Sequence, residues 1–162
     1  MNRLILASTF AALLGLCGAA GSAESAHPEL KVTTLDGKTF DLSAQKGQWV
    51  VVNFWATWCA PCIKELPDIS KFVSSHANVR AIGLAYEDTE KDEIVAFLKQ
   101  HPVSYPVAQL DVYAPPKSFD TPRGLPTTYL IAPDGSVAKH FTGPVTETDL
   151  EKALGAPATA TK

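Results

Sequence analysis

The amino-acid sequence predicts an α/β fold, with a mixed central sheet flanked by helices on both faces and an accessory β-hairpin at the N-terminal end. Two observations support this prediction. An almost continuous apolar run, Trp49–Trp55, precedes an amphipathic helical pattern and a second apolar run, Val79–Tyr86. This is the order of a right-handed parallel βαβ unit. Further along, Thr127–Ile131 and Ser136–Phe141 alternate as an antiparallel hairpin does, and a last helix follows at Thr146–Leu154.

Length and composition are those of one ordinary globular domain. The chain has 162 residues, of which 46% are hydrophobic and 19% charged. This balance argues against disorder, collagen-like repeats and disulfide-dense miniproteins. The 14 basic and 17 acidic residues give a net charge of −3 without any basic cluster. Nucleic acid and anionic membranes are therefore not expected as partners. Residues 156–162 are expected to form a frayed tail.

The first 23 residues are typical of a secretory signal peptide. Arg3 precedes an uncharged stretch of 13 residues, Leu4–Leu16, and Gly21-Ser22-Ala23 offers small residues for cleavage. We expect cleavage after Ala23, ahead of a polar lead-in over residues 24–29. An uncleaved membrane anchor is the alternative, but 13 apolar residues fall short of the roughly 20 that span a bilayer as a helix.

Three cysteines are present, and the predicted signal peptide contains one of them. Leu14-Gly15-Leu16-Cys17 weakly resembles a bacterial lipoprotein signal, in which the cysteine becomes lipidated, although Leu16 stands where a small residue is expected. Removal of residues 1–23 leaves Cys59 and Cys62 as the only cysteines. Export places this pair in a compartment where disulfides form and persist.

The first half of the domain, which we place at residues 30–155, contains a hairpin and a helix. Leu30–Leu42 has two short β-prone runs around Asp36-Gly37, a pair that favours a tight hairpin turn. Beyond the cysteines, an apolar stripe predicts a helix to about Ser75, and Pro67 should kink it. The stripe consists of Ile63, Leu66, Ile69, Phe72 and Val73.

The second half alternates regular and irregular segments. Thr89 is predicted to cap a helix, with Asp92 three residues on as in a capping box, and His101-Pro102 should end that helix. A short strand is expected within Tyr105–Val112. Ala114–Pro126 is rich in proline and should be irregular.

The sequence Cys59-Ala60-Pro61-Cys62 stands where a buried strand is predicted to turn into a helix. Unpaired amides and the helix dipole at a helix N-terminus favour a thiolate at Cys59. Cys62 lies about one turn later, within disulfide range, and Pro61 suits the first helical turn. Cys59 is therefore predicted to be a nucleophile and Cys62 the resolving thiol of a redox-active pair.

Two other readings of the cysteine pair are less favoured. A closed zinc site needs four ligands, and the histidines are scattered without ligand spacing, at His27, His76, His101 and His140. An inert structural disulfide would close a loop of only two intervening residues, and so short a loop removes little chain entropy. Redox chemistry is the favoured reading, without a metal or organic cofactor.

Several segments together resemble the thioredoxin superfamily, and more narrowly the exported reductases of the TlpA, ResA and CcmG type. The resemblance covers about Leu30 to Leu154. The segments that carry it are Trp55-Ala56-Thr57-Trp58-Cys59-Ala60-Pro61-Cys62, Glu65-Leu66-Pro67, Gly124-Leu125-Pro126-Thr127-Thr128-Tyr129-Leu130-Ile131 and Asp134-Gly135.

The resemblance implies a thioredoxin fold and a reduced Cys59-Cys62 pair that delivers electrons to periplasmic protein disulfides. It also implies that a membrane thiol carrier of the DsbD or CcdA type reduces the Cys59-Cys62 disulfide again after each reaction. Typical targets of such proteins are apocytochrome c and the copper-site cysteines of oxidase assembly factors. We expect a monomer.

The resemblance further implies roles for residues around the cysteines. Pro126 should be a cis-proline that faces the active-site disulfide, and Leu125 should offer backbone hydrogen bonds to a bound substrate strand. An ordinary trans-proline at the start of a strand is the alternative for Pro126. Trp58 is expected to shield the thiols, whereas Trp55 is expected to belong to the core.

Two glutamates are candidates for the residue that accepts the proton of Cys62. Many cytoplasmic thioredoxins have a buried aspartate where this chain has Asn53, and a neutral amide cannot accept a proton in its place. We hypothesise that Glu87, at the end of the following strand, assists proton removal from Cys62; the alternative is a solvated loop carboxylate. Glu65 is the second candidate, although a charged helical residue usually lies on the solvated face.

The segment Tyr113–Arg123 departs from the related proteins, which often carry a short helix there. It is expected to influence partner choice, and it puts a specific assignment to cytochrome c maturation in doubt. The sequence leaves two other functions open. One is a disulfide oxidase or isomerase, and the other is a thioredoxin-like chaperone or copper-handling binding module.

Overall fold

A computed structural model describes residues 27–155 of the chain. The predicted signal peptide and its cleavage site, Cys17 and the predicted tail lie outside these residues, as do residues 24–26 of the lead-in. The described part consists of strands β1 to β7, helices α1 to α3 and one short 3-10 helix. In chain order they are β1 Lys31–Thr33, β2 Thr39–Asp41, the 3-10 helix Leu42–Gln45, β3 Trp49–Trp55, α1 Ala60–Ser75, β4 Val79–Ala85, α2 Lys91–Gln100, β5 Val107–Gln109, β6 Thr127–Ile131, β7 Val137–Thr142 and α3 Glu147–Leu154.

The central sheet has the strand order β5-β4-β3-β6-β7. Strand β3 pairs in parallel with β4, from Trp49 opposite Val79 to Trp55 opposite Ala85, and β4 pairs in parallel with β5. Strand β3 pairs antiparallel with β6, and β6 pairs antiparallel with β7. Strands β1 and β2 form a separate hairpin, whose turn uses Gly37 at φ 82°, a left-handed conformation that suits glycine. The predicted mixed sheet, flanking helices and accessory hairpin are confirmed.

The buried side chains of all three α-helices belong to one core cluster, on a single face of the sheet. The expectation of α-helices on both faces is therefore wrong. Two right-handed crossovers in succession, through α1 and then α2, step in the same direction from β3 to β4 to β5 and so place both helices on the same side. The opposite cluster is closed by the hairpin, by Leu42 of the 3-10 helix and by Phe119.

Helix ends and loops differ from prediction mainly at Thr89. The predicted cap at Thr89 is wrong: Glu90 is the N-cap of α2 and makes no side-chain capping bond, while the Thr89 hydroxyl bonds to the Glu93 carboxylate. Pro67 lies inside α1, which continues to Ser75; the kink stays a prediction. Residues 110–126 contain neither helix nor strand, which confirms the irregular segment predicted over Ala114–Pro126. Within residues 27–155, every helix lacks the length and apolar character needed to cross a membrane.

Candidate active site

Strand β3 ends in a tight turn, and that turn leads directly into helix α1. The N–H of Cys59 donates to the carbonyl of Ala56 over 3.2 Å, and Cys59 is the N-cap of α1. Its sulfur is bonded to the sulfur of Cys62, with 5.2 Å between the two Cα atoms. It also accepts a 3.3 Å hydrogen bond from the Cys62 N–H. Cys59 therefore lies among the unpaired amides of a helix N-terminus, where a thiolate is stabilised.

The two cysteines differ in their access to solvent. Cys62 is completely buried, whereas 5% of the Cys59 surface is exposed, so Cys59 is the more accessible of the two. The neighbouring Trp58 is 70% exposed, and its predicted shielding role stays a prediction. Trp55 belongs to the core as expected, with its ring centroid 5.6 Å from that of Phe97.

Pro126 lies at the end of the sheet from which the cysteine turn departs. The Leu125–Pro126 peptide bond is cis, as the resemblance implies. The register of β3 and β6 pairs Phe54 with Thr127, so Pro126 immediately precedes the point where β6 meets the end of β3. Its carbonyl accepts a 2.9 Å hydrogen bond from the Gly143 N–H. Leu125 is half-buried and packs against the cluster that contains both cysteines.

Glu87 is buried, and its carboxylate is bonded to the turn before the cysteines. The Thr57 N–H donates to Oε1 over 2.8 Å, and the Thr57 hydroxyl donates to Oε2 over 2.9 Å. Only 6% of the residue is exposed, whereas its neighbours Asp88 and Glu90 are exposed. The alternative of a solvated loop carboxylate is therefore wrong for Glu87.

Glu65 is also buried, so the expectation that it lies on a solvated helix face is wrong. Asn53 Nδ2 donates to Glu65 Oε1 over 2.7 Å, and the Val145 N–H donates to Oε2 over 2.9 Å. The same Asn53 nitrogen also donates to Thr128 Oγ1 over 2.9 Å. Burial raises the pKa of the Glu65 carboxyl to about 7, because the loss of hydration outweighs these hydrogen bonds.

Thr57 is a site residue to which sequence reasoning assigned no role. It appears in the cysteine motif, but its partner Glu87 lies 30 positions further along the chain. Burial of Glu65, in contrast, has a signal in the sequence, because it lies three residues after Cys62 and four before Ile69, on the apolar face of α1. Within residues 27–155, the His, Cys, Asp and Glu side chains form no group of three that could hold a metal.

Comparisons with known proteins place this geometry in a family. The AhpC/TSA family model matches residues 23–140. The thiol-disulfide oxidoreductase ResA of Bacillus cereus is 34% identical over 129 residues, which cover 78% of this chain and 73% of that protein. ResA of Bacillus subtilis is 36% identical over 124 residues, covering 74% and 67% respectively.

A solved structure shares the fold. It is that of a putative thiol:disulfide interchange protein DsbE from Chlorobium tepidum, with a TM-score of 0.70, 24% identity, and coverage of 81% of this chain and 94% of the other. The predicted thioredoxin fold and the resemblance to ResA-type proteins are thereby confirmed. The chain belongs to the thioredoxin-like AhpC/TSA family and, within it, to the thiol-disulfide oxidoreductases of the ResA type.

Proposed function

We propose that this oxidoreductase is exported and works as a reductase of protein disulfides. The observation that carries the proposal is the placement of Cys59, the N-cap of α1, in a bond to the fully buried Cys62. The helix N-terminus stabilises a thiolate on the accessible sulfur, and the buried sulfur one turn later is within reach of it.

In the proposed reaction the reduced protein transfers two electrons. The Cys59 thiolate attacks one sulfur of the substrate disulfide, forming a mixed disulfide and expelling the other substrate sulfur as a thiolate. Cys62 then loses its proton and attacks the Cys59 sulfur, which releases the second substrate thiolate and leaves Cys59 bonded to Cys62. The substrate gains two electrons and the protein loses them, so a dithiol donor must restore the reduced pair.

A buried carboxylate is proposed to take the proton of Cys62. Glu65 lies one helical turn beyond Cys62, and its pKa of about 7 suits proton exchange near neutral pH. Glu87, the acceptor that the sequence favours, is the alternative. The Glu87 variants described in the next subsection test this alternative.

The substrate strand is proposed to lie along Leu125 and Pro126, beside Trp58. This placement is supported by the position of Pro126 at the end of β3 and by the exposure of the Trp58 ring. Periplasmic protein disulfides, of the cytochrome c or copper-site type, are the proposed targets, and a membrane thiol carrier of the DsbD or CcdA type is the proposed donor. The predicted signal peptide over residues 1–23 supports export, and we propose a monomer.

The reduction potential of the Cys59-Cys62 couple tests the direction of electron flow. Equilibration of the mature domain against dithiothreitol or glutathione, read by Trp fluorescence, should give a value below about −230 mV, towards the thioredoxin end of the scale. A value near −120 mV, where DsbA lies, would instead indicate a protein that makes disulfides. Insulin reduction should accompany the low potential, whereas bound copper without insulin reduction would favour a binding module.

A further inference from the structure

We infer that Glu87 is a positioning residue, which holds the turn that carries Cys59 through its two hydrogen bonds to Thr57, and that it does not receive the proton of Cys62. The inference rests on the proposed reductase function. It deepens that function by naming what fixes the nucleophile before the substrate arrives.

The contact follows from the parallel register of the two central strands. Trp55 and Ala85 form the last pair of β3 and β4, and the N–H of Tyr86 donates to the Trp55 carbonyl over 2.8 Å. Thr57 and Glu87 each lie two residues beyond that last pair. The sheet therefore brings the Glu87 carboxylate to the turn.

Both oxygens of the carboxylate are used at one residue. Oε1 accepts the Thr57 N–H and Oε2 accepts the Thr57 hydroxyl, at 2.8 and 2.9 Å, in part-buried contacts of a buried glutamate. Hydrogen bonds to an ionised group are shorter and stronger than neutral ones, and two from one residue fix its orientation. A carboxylate held in this way restrains the backbone of Thr57 as well as its side chain.

Thr57 lies inside the turn that delivers the nucleophile. The turn is closed by the bond from the Cys59 N–H to the Ala56 carbonyl, and Cys59 then caps helix α1. A fixed Thr57 amide sets the path of Trp58 and Cys59 into the helix. It thereby keeps the Cys59 sulfur where the Cys62 N–H donates to it.

Three variants separate positioning from proton transfer. Glu87→Gln keeps two bonds to Thr57, because the amide oxygen accepts the N–H and the amide nitrogen can donate to the hydroxyl oxygen, but the negative charge and the basic oxygen are lost. Glu87→Ala removes both bonds. Thr57→Val removes the hydroxyl bond and leaves the Glu87 carboxylate in place. Asp88→Asn is the matched control, because it removes an exposed charge from the residue next to Glu87.

The readouts are kcat/KM for insulin reduction and the pH profile of Cys59 alkylation by iodoacetamide in the reduced, otherwise intact mature protein. We expect Glu87→Ala to lower kcat/KM by roughly 10- to 100-fold, since small misplacements of a reacting group have effects of this order. Glu87→Gln should recover most of this loss. Thr57→Val should lose about threefold to tenfold and raise the pKa of the Cys59 thiol, because its sulfur is held less well at the helix amides. Asp88→Asn should match the wild type.

The outcomes separate the positioning role from the proposed function. Equal losses in Glu87→Gln and Glu87→Ala, or a Thr57→Val variant that equals the wild type in both readouts, would overturn the positioning role. If Glu87→Ala does not fold, Glu87→Gln and Thr57→Val still decide the matter. A wild-type protein that leaves insulin intact would refute the reductase function, whereas the alkylation profiles would still report on the turn.

Discussion

Helix α1, which follows Cys59, and the segment after β4, which contacts the cysteine turn, each contain one buried glutamate, and the two carboxylates accept hydrogen bonds from different parts of the fold. Glu65 accepts hydrogen bonds from Asn53 in β3 and from Val145 in the loop before α3, so it joins α1 to two other elements. Glu87 accepts both of its bonds from Thr57, so it joins the end of β4 to the turn alone.

This difference shows that burial by itself does not define what a carboxylate does. Glu65 lies within the helix-covered core, and its loss of hydration raises its pKa to about 7. We therefore expect changes around Glu65 to alter stability and its pH dependence. Changes at Glu87 should instead alter the reactivity of the cysteine turn, because its bonds end two residues before Cys59.

Substitution of the cysteines has the largest expected effect and separates the two chemical steps of the proposed reaction. Cys59→Ser should lower turnover of insulin by at least about 1,000-fold, because the nucleophile is lost. In the Cys62→Ser variant, Cys59 should attack the substrate disulfide once and stay bonded to the substrate as a mixed disulfide, because the resolving thiol is missing. Mass spectrometry without reductant should detect this adduct. In a Cys62→Ser background, loss of the Glu87 bonds should slow formation of this adduct. Equal slowing by a Glu65 variant would contradict the division of roles.

Asn53→Asp should disrupt the hydrogen bonds around Glu65 by placing a second carboxylate in the interior. The Asn53 amide nitrogen lies 2.7 Å from Glu65 Oε1, and two carboxylates at this distance share one proton. The variant should be nearly as stable as the wild type at pH 5. At pH 8, where the shared proton is driven off, it should be about 4 kcal/mol less stable than the wild type, because two buried like charges are then uncompensated. Urea unfolding of the oxidised protein at both pH values measures this.

The matched control for this substitution is Asn78→Asp, at an exposed position before β4. It introduces the same charge without a buried neighbour, so its effect should be small at both pH values. A loss of stability in Asn53→Asp that is the same at pH 5 and pH 8 would show that the shared proton is not its cause.

The pH dependence of stability is the next effect in size. The pKa of Glu65 rises from 4.5 to about 7 on folding, so the native state holds this proton where the unfolded chain has released it. Stability should therefore fall as the pH rises from 4.5 to 7 and then level off. At about 1.4 kcal/mol per unit, the loss is about 3 kcal/mol. Urea unfolding of the oxidised protein across this range should show the slope.

Glu65→Gln should flatten this slope, because the amide resembles the protonated acid. The glutamine side-chain oxygen can accept the Val145 N–H. In the described structure the Asn53 amide oxygen is buried without a hydrogen-bond partner. If the Asn53 amide rotates by 180°, this oxygen can accept a hydrogen bond from the glutamine nitrogen. Asp68 and Tyr105 are the titratable groups that interact electrostatically with Glu65, and both remain in the variant. An unchanged slope in Glu65→Gln would assign the effect to another group.

The βαβ unit and the last hairpin could be predicted from the sequence because their signals are local. Apolar runs, a helical stripe and turn residues specify β3, α1, β4, β6 and β7 without knowledge of distant contacts. The face on which α2 packs could not be predicted in this way. It depends on where β5 joins the sheet, and the three residues Val107–Gln109 carry only a weak strand pattern.

The site shows the same division between local and distant information. The spacing of Cys59 and Cys62, and their place between strand and helix, predicted the N-cap geometry. The bond between Thr57 and Glu87 joins residues 30 positions apart and depends on the register of β3 and β4, which the pattern of neither segment reveals. The burial of Glu65 differs from prediction because its position on the apolar face of α1 outweighs the usual preference of a charged side chain for solvent.

Thr128→Val has the smallest expected effect. It tests whether the hydrogen bond between Asn53 and Thr128 contributes to stability independently of the ionisation of Glu65. The Thr128 hydroxyl oxygen accepts from Asn53 over 2.9 Å, whereas the bond from Asn53 to Glu65 is separate. Valine has nearly the same shape, so about 1 kcal/mol of unfolding free energy should be lost with one hydrogen bond. No charge is involved, so the loss should be equal at pH 5 and pH 8. A loss that appears only at pH 8 would show that Thr128 responds to the ionisation of Glu65, and the interior would then act as one titrating unit.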